Sequence, residues 1–167
     1  LLKLVLSRTQ NLVNIQAERF KDVIIPELAT HGIEFCKISE LTDEEREHLK
    51  DYYDKRVFPV LTPLVVDPSH PFPYISGLSL NLAVLVKQPD TNEELFARVK
   101  VPASLPRFIE TAEFASTRFI PLEKVIIANL HQLFPGMDIE DYYTFRITRN
   151  ADLELEEDES ENLLESM

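Results

Sequence analysis

The sequence has 167 residues, of which 44% are hydrophobic, and its formal net charge is −12. This composition suffices to bury a core and excludes global disorder, and the acidic balance disfavours binding to nucleic acid, whose phosphates carry the same sign. The charge is uneven, because residues 151–167 hold eight acids and no base, whereas residues 1–150 sum to −4. No run of about 18 apolar residues occurs in the sequence, so no membrane span is predicted.

The start of the chain and its cysteine content suggest its origin. It begins at Leu1 and not at a methionine, and we expect an internal fragment of a longer protein. Cys36 is the single cysteine, so an intrachain disulfide is impossible and a reducing, cytoplasmic location is predicted. Its apolar neighbours indicate a half-buried structural thiol.

The first part of the chain is predicted to be helical. Apolar residues at three- to four-residue spacing predict a helix over residues 2–31, which Pro26 should kink or divide. After an extended connector, Thr42 and Glu45 have the spacing of a capping box and predict a second helix that runs to about Val57. Two helices in this order suggest a helical hairpin.

A proline-rich crossing follows, and beyond it the pattern becomes one of strands. Five prolines between Pro59 and Pro73 exclude a long helix or a central strand, and the apolar residues among them indicate an ordered, buried connection between two domains. Alternating apolar residues over 78–86 and 95–101, joined by a turn, predict an antiparallel hairpin.

The last predicted elements complete an α+β pattern. Residues 118–120 predict a third strand, and Pro121 then opens a helix. Residues 141–149 predict a fourth strand through the alternating Tyr143, Phe145 and Ile147.

The predicted fold is therefore a helical hairpin followed by a small mixed domain of strands and helices with an antiparallel sheet. The predicted domains are residues 1–66, the last part of a helical domain, and residues 67–167, a second domain that is incomplete at its end.

Motifs for chemistry are mostly lacking. The three glycines are too far apart for a phosphate loop, and the histidines are isolated from one another, so no catalytic, cofactor-binding or metal-ligating residue is predicted. His48 begins a His-x-Lys triplet, as in the HxKxxxxD pattern of phospholipase-D-like enzymes. The aspartate of that pattern is replaced by Lys55, so His48 is interpreted as a solvated helical residue.

Four basic residues are candidates for contacts with phosphate. Arg98 and Lys100 share one strand face, which is either an exposed hairpin face or part of a basic patch. Arg146 and Arg149 have opposite parity on the fourth strand. Arg149 either pairs with a carboxylate of the acidic tail or binds phosphate through its bidentate guanidinium.

Two further features leave alternatives open. His70 lies in the rigid Pro-Ser-His-Pro frame, where it either makes a structural hydrogen bond to the backbone or serves an interface or a neighbouring site. The acidic run 154–161 could gather Mg²⁺ but lacks the spacing of a calcium loop. A solvated helix N-terminus explains it more simply.

Three blocks of sequence resemble a known family. They are VFPVLTPLVVDPSHPFPYISGLSLNLAV at 57–84, RFIPLE at 118–123, and LFPGM at 133–137 followed by FRITRNADL at 145–153. In this order they resemble the junction between the N-terminal helical domain and the head domain of bacterial type 1 polyphosphate kinases. The resemblance extends over essentially the whole chain.

The resemblance implies an activity that this chain does not carry alone. These enzymes reversibly transfer the terminal phosphate of ATP to polyphosphate through a phosphohistidine, with Mg²⁺. Their catalytic histidines and most of their phosphate-binding arginines lie in two C-terminal domains, so the fragment is expected to be inactive and to bind neither ATP nor Mg²⁺ tightly. The resemblance also implies homo-oligomers through the head domain. The alternative is a non-catalytic α+β dimerisation or interaction domain.

Overall fold

The structure is a computed structural model that describes residues 1–66, 73–112 and 117–148, and its elements confirm the α+β class. Its α-helices are α1 (Leu2–Arg19), α2 (Ile25–Thr30), α3 (Asp43–Tyr52), α4 (Leu122–Ala128) and α5 (Leu130–Leu133). Its strands are β1 (Glu34–Phe35), β2 (Pro63–Val66), β3 (Asn81–Lys87), β4 (Glu94–Lys100), β5 (Phe108–Glu110), β6 (Arg118–Pro121) and β7 (Asp138–Phe145).

The chain divides into two compact units. Unit 1 comprises Leu1–Arg56 and Pro106–Ala128, and unit 2 comprises Val57–Leu105 and Asn129–Met167. The chain thus leaves unit 1 after Arg56 and returns to it at Pro106. These units are defined by contacts within the chain, and their boundaries differ from the predicted domain boundary between residues 66 and 67. That domain boundary stays a prediction.

The first helical segment changes its winding just before Pro26. A π-helical turn, Phe20–Ile24, separates α1 from α2, and the Ile25 N–H donates to the Phe20 carbonyl. Proline has no N–H to give the carbonyl four residues earlier, and its ring crowds that turn. The wider π-helical turn accommodates the missing hydrogen bond and the proline ring. The predicted division of the helix near Pro26 is therefore confirmed.

The second predicted helix begins as its sequence indicates. The Thr42 hydroxyl accepts a hydrogen bond from the Glu45 N–H, and the Glu45 carboxylate accepts one from the Thr42 N–H, so the capping box is confirmed. The predicted helical hairpin, however, lacks a packed interface along α1, because no residue of α1 is buried.

Glu45 also joins α3 to the sheet of unit 1. Its Oε1 accepts hydrogen bonds from Thr111 Oγ1 at 2.7 Å and from Arg118 Nη1 at 2.5 Å, while its Oε2 accepts from the Thr42 N–H at 2.9 Å. Burial alone would raise the pKa of the Glu45 carboxyl, but these hydrogen bonds outweigh it and hold that pKa below its ordinary value. Arg118 also donates to the Glu40 carbonyl.

The sheet of unit 1 has the strand order β1-β6-β5. β1 runs parallel to β6, with Glu34 opposite Arg118, and β5 runs antiparallel to β6, with Ile109 opposite Ile120. The side chains of Ile109 and Ile120 are buried in the core of the unit. The sequence predicted β6, but not β5 or the pairing of β1.

The sheet of unit 2 has the strand order β2-β4-β3-β7. The predicted hairpin is confirmed as β3 and β4, which pair antiparallel. β2 is a short edge strand that begins at Pro63. An edge position tolerates proline because one side of the strand needs no ladder hydrogen bonds, which is consistent with the exclusion of a central strand.

One face of this sheet is buried and the other is partly open. Leu82, Val84 and Val86 point to the buried face. The strand predicted over 141–149 is confirmed in part as β7, which begins earlier, at Asp138, and ends at Phe145. Tyr143 lies opposite Ala83 on the other face and is 58% exposed. β7 is an edge strand with no buried residue, so its alternating apolar side chains do not mark a core.

Candidate functional site

Three of the four candidate basic residues lie near one end of the four-stranded sheet. β3 begins at Asn81, whose register partners are Lys100, the last residue of β4, and Phe145, the last residue of β7. Arg98 precedes Lys100 on the same face, and Arg146 directly follows Phe145. We call Asn81, Arg98, Lys100 and Arg146 the sheet-end cluster.

Arg98 is held inside this cluster. It is only 6% exposed, its Nε donates to Asn81 Oδ1 at 2.9 Å, and its Nη1 donates to the Tyr74 carbonyl at 3.4 Å. The predicted exposed hairpin face is therefore wrong for Arg98. A buried guanidinium needs fixed acceptors, and Asn81 and the Tyr74 carbonyl supply them.

Asn81 is fixed in turn by its own hydrogen bonds. Its Nδ2 donates to the Ser79 carbonyl at 2.9 Å and to Ser79 Oγ at 3.0 Å, so its Oδ1 is turned towards Arg98. The sequence interpretation missed this role, although a polar residue within an apolar strand was the available signal. Asn81 and Arg98 together form a rigid polar support at the sheet end.

Lys100 and Arg146 are the accessible cations of the cluster. Both are exposed, and neither forms an ion pair with another residue in the described ranges. The segment that carries Arg146 is anchored by a hydrogen bond of 2.8 Å from the Leu78 N–H to the Ile147 carbonyl. Two accessible cations, one at the end of β4 and one just after the end of β7, are suited to binding a polyanion.

The remaining candidates cannot be placed. Arg149, His70 and the acidic run 154–161 lie outside the described residues, so their predicted roles stay predictions. Among the described residues, no group of three His, Cys, Asp or Glu side chains could hold a metal ion.

The His-x-Lys triplet is not arranged as a catalytic pair. Leu49 is buried in the core of unit 1, and Lys50 forms an ion pair with Asp54 one helical turn later. His48 is half-buried on α3.

Cys36 is buried, and burial raises the pKa of its thiol although Arg118 lies close by. The thiol is therefore protonated at neutral pH and suited to packing, which agrees with a structural cysteine. Within the described residues, no helix is both long and apolar enough to cross a membrane.

Comparison with known proteins gives consistent matches. The family model described as the polyphosphate kinase middle domain matches residues 44–167. A polyphosphate kinase of Aphanizomenon baltica is 54% identical over 158 residues, which are 89% of this chain and 41% of that protein. A polyphosphate kinase of Streptomyces coelicolor is 50% identical over 166 residues, 99% of this chain and 22% of that protein.

A solved structure is also similar. The crystal structure of polyphosphate kinase from Porphyromonas gingivalis matches with a TM-score of 0.75 and 28% identity, covering 85% of this chain and 24% of that one. The chain thus spans between about a fifth and two fifths of the length of the proteins that it resembles.

Proposed function

The chain belongs to the polyphosphate kinase family, and from this premise we propose that it is the part of such an enzyme that supplies framework and contacts. The whole enzyme would reversibly transfer the terminal phosphate of ATP to polyphosphate through a phosphohistidine, with Mg²⁺. The match to the middle domain and the lysine at position 55, where HxKxxxxD requires an aspartate, support a chain without the phosphoryl-accepting histidine.

We propose that the sheet-end cluster binds the polyphosphate chain. The main support for this proposal is that Lys100 and Arg146 are exposed and make no ion pair in the part of the chain that the structure describes. Polyphosphate is a linear polyanion, so two cations at one end of a sheet can contact different phosphates of one chain without a deep pocket. Arg98 would act as a positioning residue, because it is buried and two of its donors serve Asn81 and the Tyr74 carbonyl.

Titration of polyphosphate into the purified chain at low salt tests this site. We expect saturable binding that weakens with added salt, and about tenfold weaker binding when Lys100→Ala and Arg146→Ala are combined, since each exposed charge pair contributes up to about 1 kcal/mol. Lys124→Ala, which removes an exposed lysine of unit 1, is the matched control and should bind like the parent. A flat titration, or equal loss in the control, would refute the site.

The same chain is expected to be inactive with ATP, Mg²⁺ and polyphosphate. The full-length enzyme assayed in parallel is the positive control. Turnover by the purified chain would contradict the proposal that phosphoryl transfer needs residues outside it.

A non-catalytic dimerisation domain is the second candidate. It is favoured by the partly open sheet face of unit 2, where Leu64, Leu85 and Tyr143 are exposed. Exposed apolar side chains on one face are typical of a protein contact surface. Sedimentation velocity at several concentrations distinguishes the candidates, because a chain that dimerises but ignores polyphosphate would support the second alone.

A further inference from the structure

Unit 1 contains a groove that the proposed function does not use. It has a volume of about 300 Å³ and is lined by His48 and Tyr52 of α3 and by the segment around β5, including Phe108 and Glu110. Burial raises the pKa of the Tyr52 hydroxyl, which is therefore protonated at neutral pH. The lining combines aromatic rings with hydrogen-bonding groups.

The outer side of β5 has no strand partner among the described residues. β5 is the outer strand of its sheet. The Thr111 N–H donates to the Arg118 carbonyl, and the Leu122 N–H donates to the Arg107 carbonyl, so these positions are paired. In an antiparallel ladder the paired positions alternate. The N–H and C=O groups of Phe108 and Glu110 therefore point away from β6.

The groove runs along this free edge. α3 packs on the sheet face that carries Thr111, through the hydrogen bond between Thr111 and Glu45. Phe108 and Glu110 have the opposite parity, so their side chains point to the other face. A groove lined by α3 and also by Phe108 and Glu110 must lie between the helix and the strand edge.

Charges of both signs lie around the groove, because Arg56 acts on Tyr52 and Arg107 lies over the Phe108 ring, but two carboxylates there are unpaired among the described residues. Glu44 precedes His48 by one helical turn, so Glu44, His48 and Tyr52 form one row along α3. Glu44 and Glu110 are exposed, and within the described residues neither has a cationic partner. A basic ligand would compensate both carboxylates.

We propose that this groove binds an extended basic peptide segment of another protein, which adds to the free edge of β5 as a new strand. Main-chain hydrogen bonds to Phe108 and Glu110 would give affinity, and basic side chains beside Glu44 and Glu110 would give selectivity. A strand edge that is unpaired among the described residues, beside a helix and with an unpaired carboxylate on each, fits this ligand. The inference is independent of polyphosphate binding.

The probe is an amidated peptide of alternating lysine and valine with a neutral fluorophore on its N-terminus, about eight residues long to match a typical strand. Its affinity for the whole chain is measured by fluorescence anisotropy, and the bound state by amide hydrogen exchange. We expect saturable binding, slower exchange of the Phe108 and Glu110 amides on binding, and no binding of the glutamate–valine counterpart.

Two variants at one position separate backbone from charge. Glu110→Pro removes an N–H that is not in the β6 ladder, and we expect about tenfold weaker binding, since the added strand loses a hydrogen bond and its close approach. Glu110→Gln keeps the N–H, and we expect a loss of about twofold to fivefold that disappears at high salt. If the proline variant fails to fold, the glutamine variant still decides the charge argument.

Three results would overturn the proposal. The first is equal affinity of the parent and both folded variants. The second is equal binding of the lysine and glutamate peptides. The third is protection of the Phe108 and Glu110 amides in the free chain, which would mean that the chain itself already covers the edge.

Discussion

Replacing Glu45 with alanine is expected to lower the free energy of unfolding of unit 1 by about 2 to 3 kcal/mol. The change removes the acceptor of three hydrogen bonds, from the Thr42 N–H, Thr111 Oγ1 and Arg118 Nη1. It therefore removes the side-chain half of the capping box of α3, and it leaves the buried Thr111 hydroxyl and a guanidinium without this partner. Native-state hydrogen exchange at the amide of Ile120, in the core of unit 1, measures the change locally.

The neighbouring Glu44 offers a matched control. It lies in the same helical turn but is exposed, so Glu44→Ala should lower the free energy of unfolding by only a few tenths of a kcal/mol, through the helix dipole. Equal effects of the two substitutions would contradict the role assigned to the Glu45 hydrogen bonds.

The same carboxylate makes stability depend on pH. Because the folded pKa of Glu45 is lowered, its contribution is complete above the ordinary value of 4.5 and is lost as the pH falls through the lower folded pKa. We expect Glu45→Gln to show a shallower loss of stability than the parent below about pH 4.5, in denaturant unfolding followed at several pH values. Identical slopes for the two proteins would count against a lowered pKa.

Replacing Arg98 with methionine is expected to lower the free energy of unfolding of unit 2 by about 2 kcal/mol, because the buried Asn81 Oδ1 loses its donor. The affinity for polyphosphate should remain within about twofold, since the removed charge is buried and the contribution of one indirect charge is small. Urea unfolding and the polyphosphate titration, performed on the same preparation, measure both quantities.

Lys100→Met is the companion variant, because it removes an exposed charge from the same strand face. It should reverse the pattern, with unchanged stability and weaker polyphosphate binding. If Arg98→Met instead weakened binding at unchanged stability, Arg98 would be a direct phosphate contact, and its assignment as a positioning residue would be wrong.

Local patterns predicted the local structure well. The capping box at Thr42 and Glu45 needs only residues three apart, and the β3–β4 hairpin needs one turn between two alternating segments. The helix expected at Pro121 begins one residue later, at Leu122. Each of these elements is determined by neighbours along the chain, which a single sequence displays.

Pairing between distant segments could not be read in the same way. β1 and β5 are strands of two and three residues, too short for an alternating pattern, and β6 joins them in one sheet. The burial of Arg98 depends on Asn81, which is 17 residues away along the chain but adjacent across the hairpin. The alternation of side chains along a strand predicts that Arg98 and Lys100 share one face. It does not reveal that Arg98 is buried and that only Lys100 is accessible to solvent.

The discontinuity of unit 1 has a consequence for synthesis on the ribosome. Glu34 and Phe35 are made early, yet their strand partners Arg118 and Phe119 emerge more than 80 residues later. The β3–β4 hairpin closes across a short turn as soon as it is translated. The segment that contains β1 must therefore wait for its strand partners while the hairpin of unit 2 is already folding.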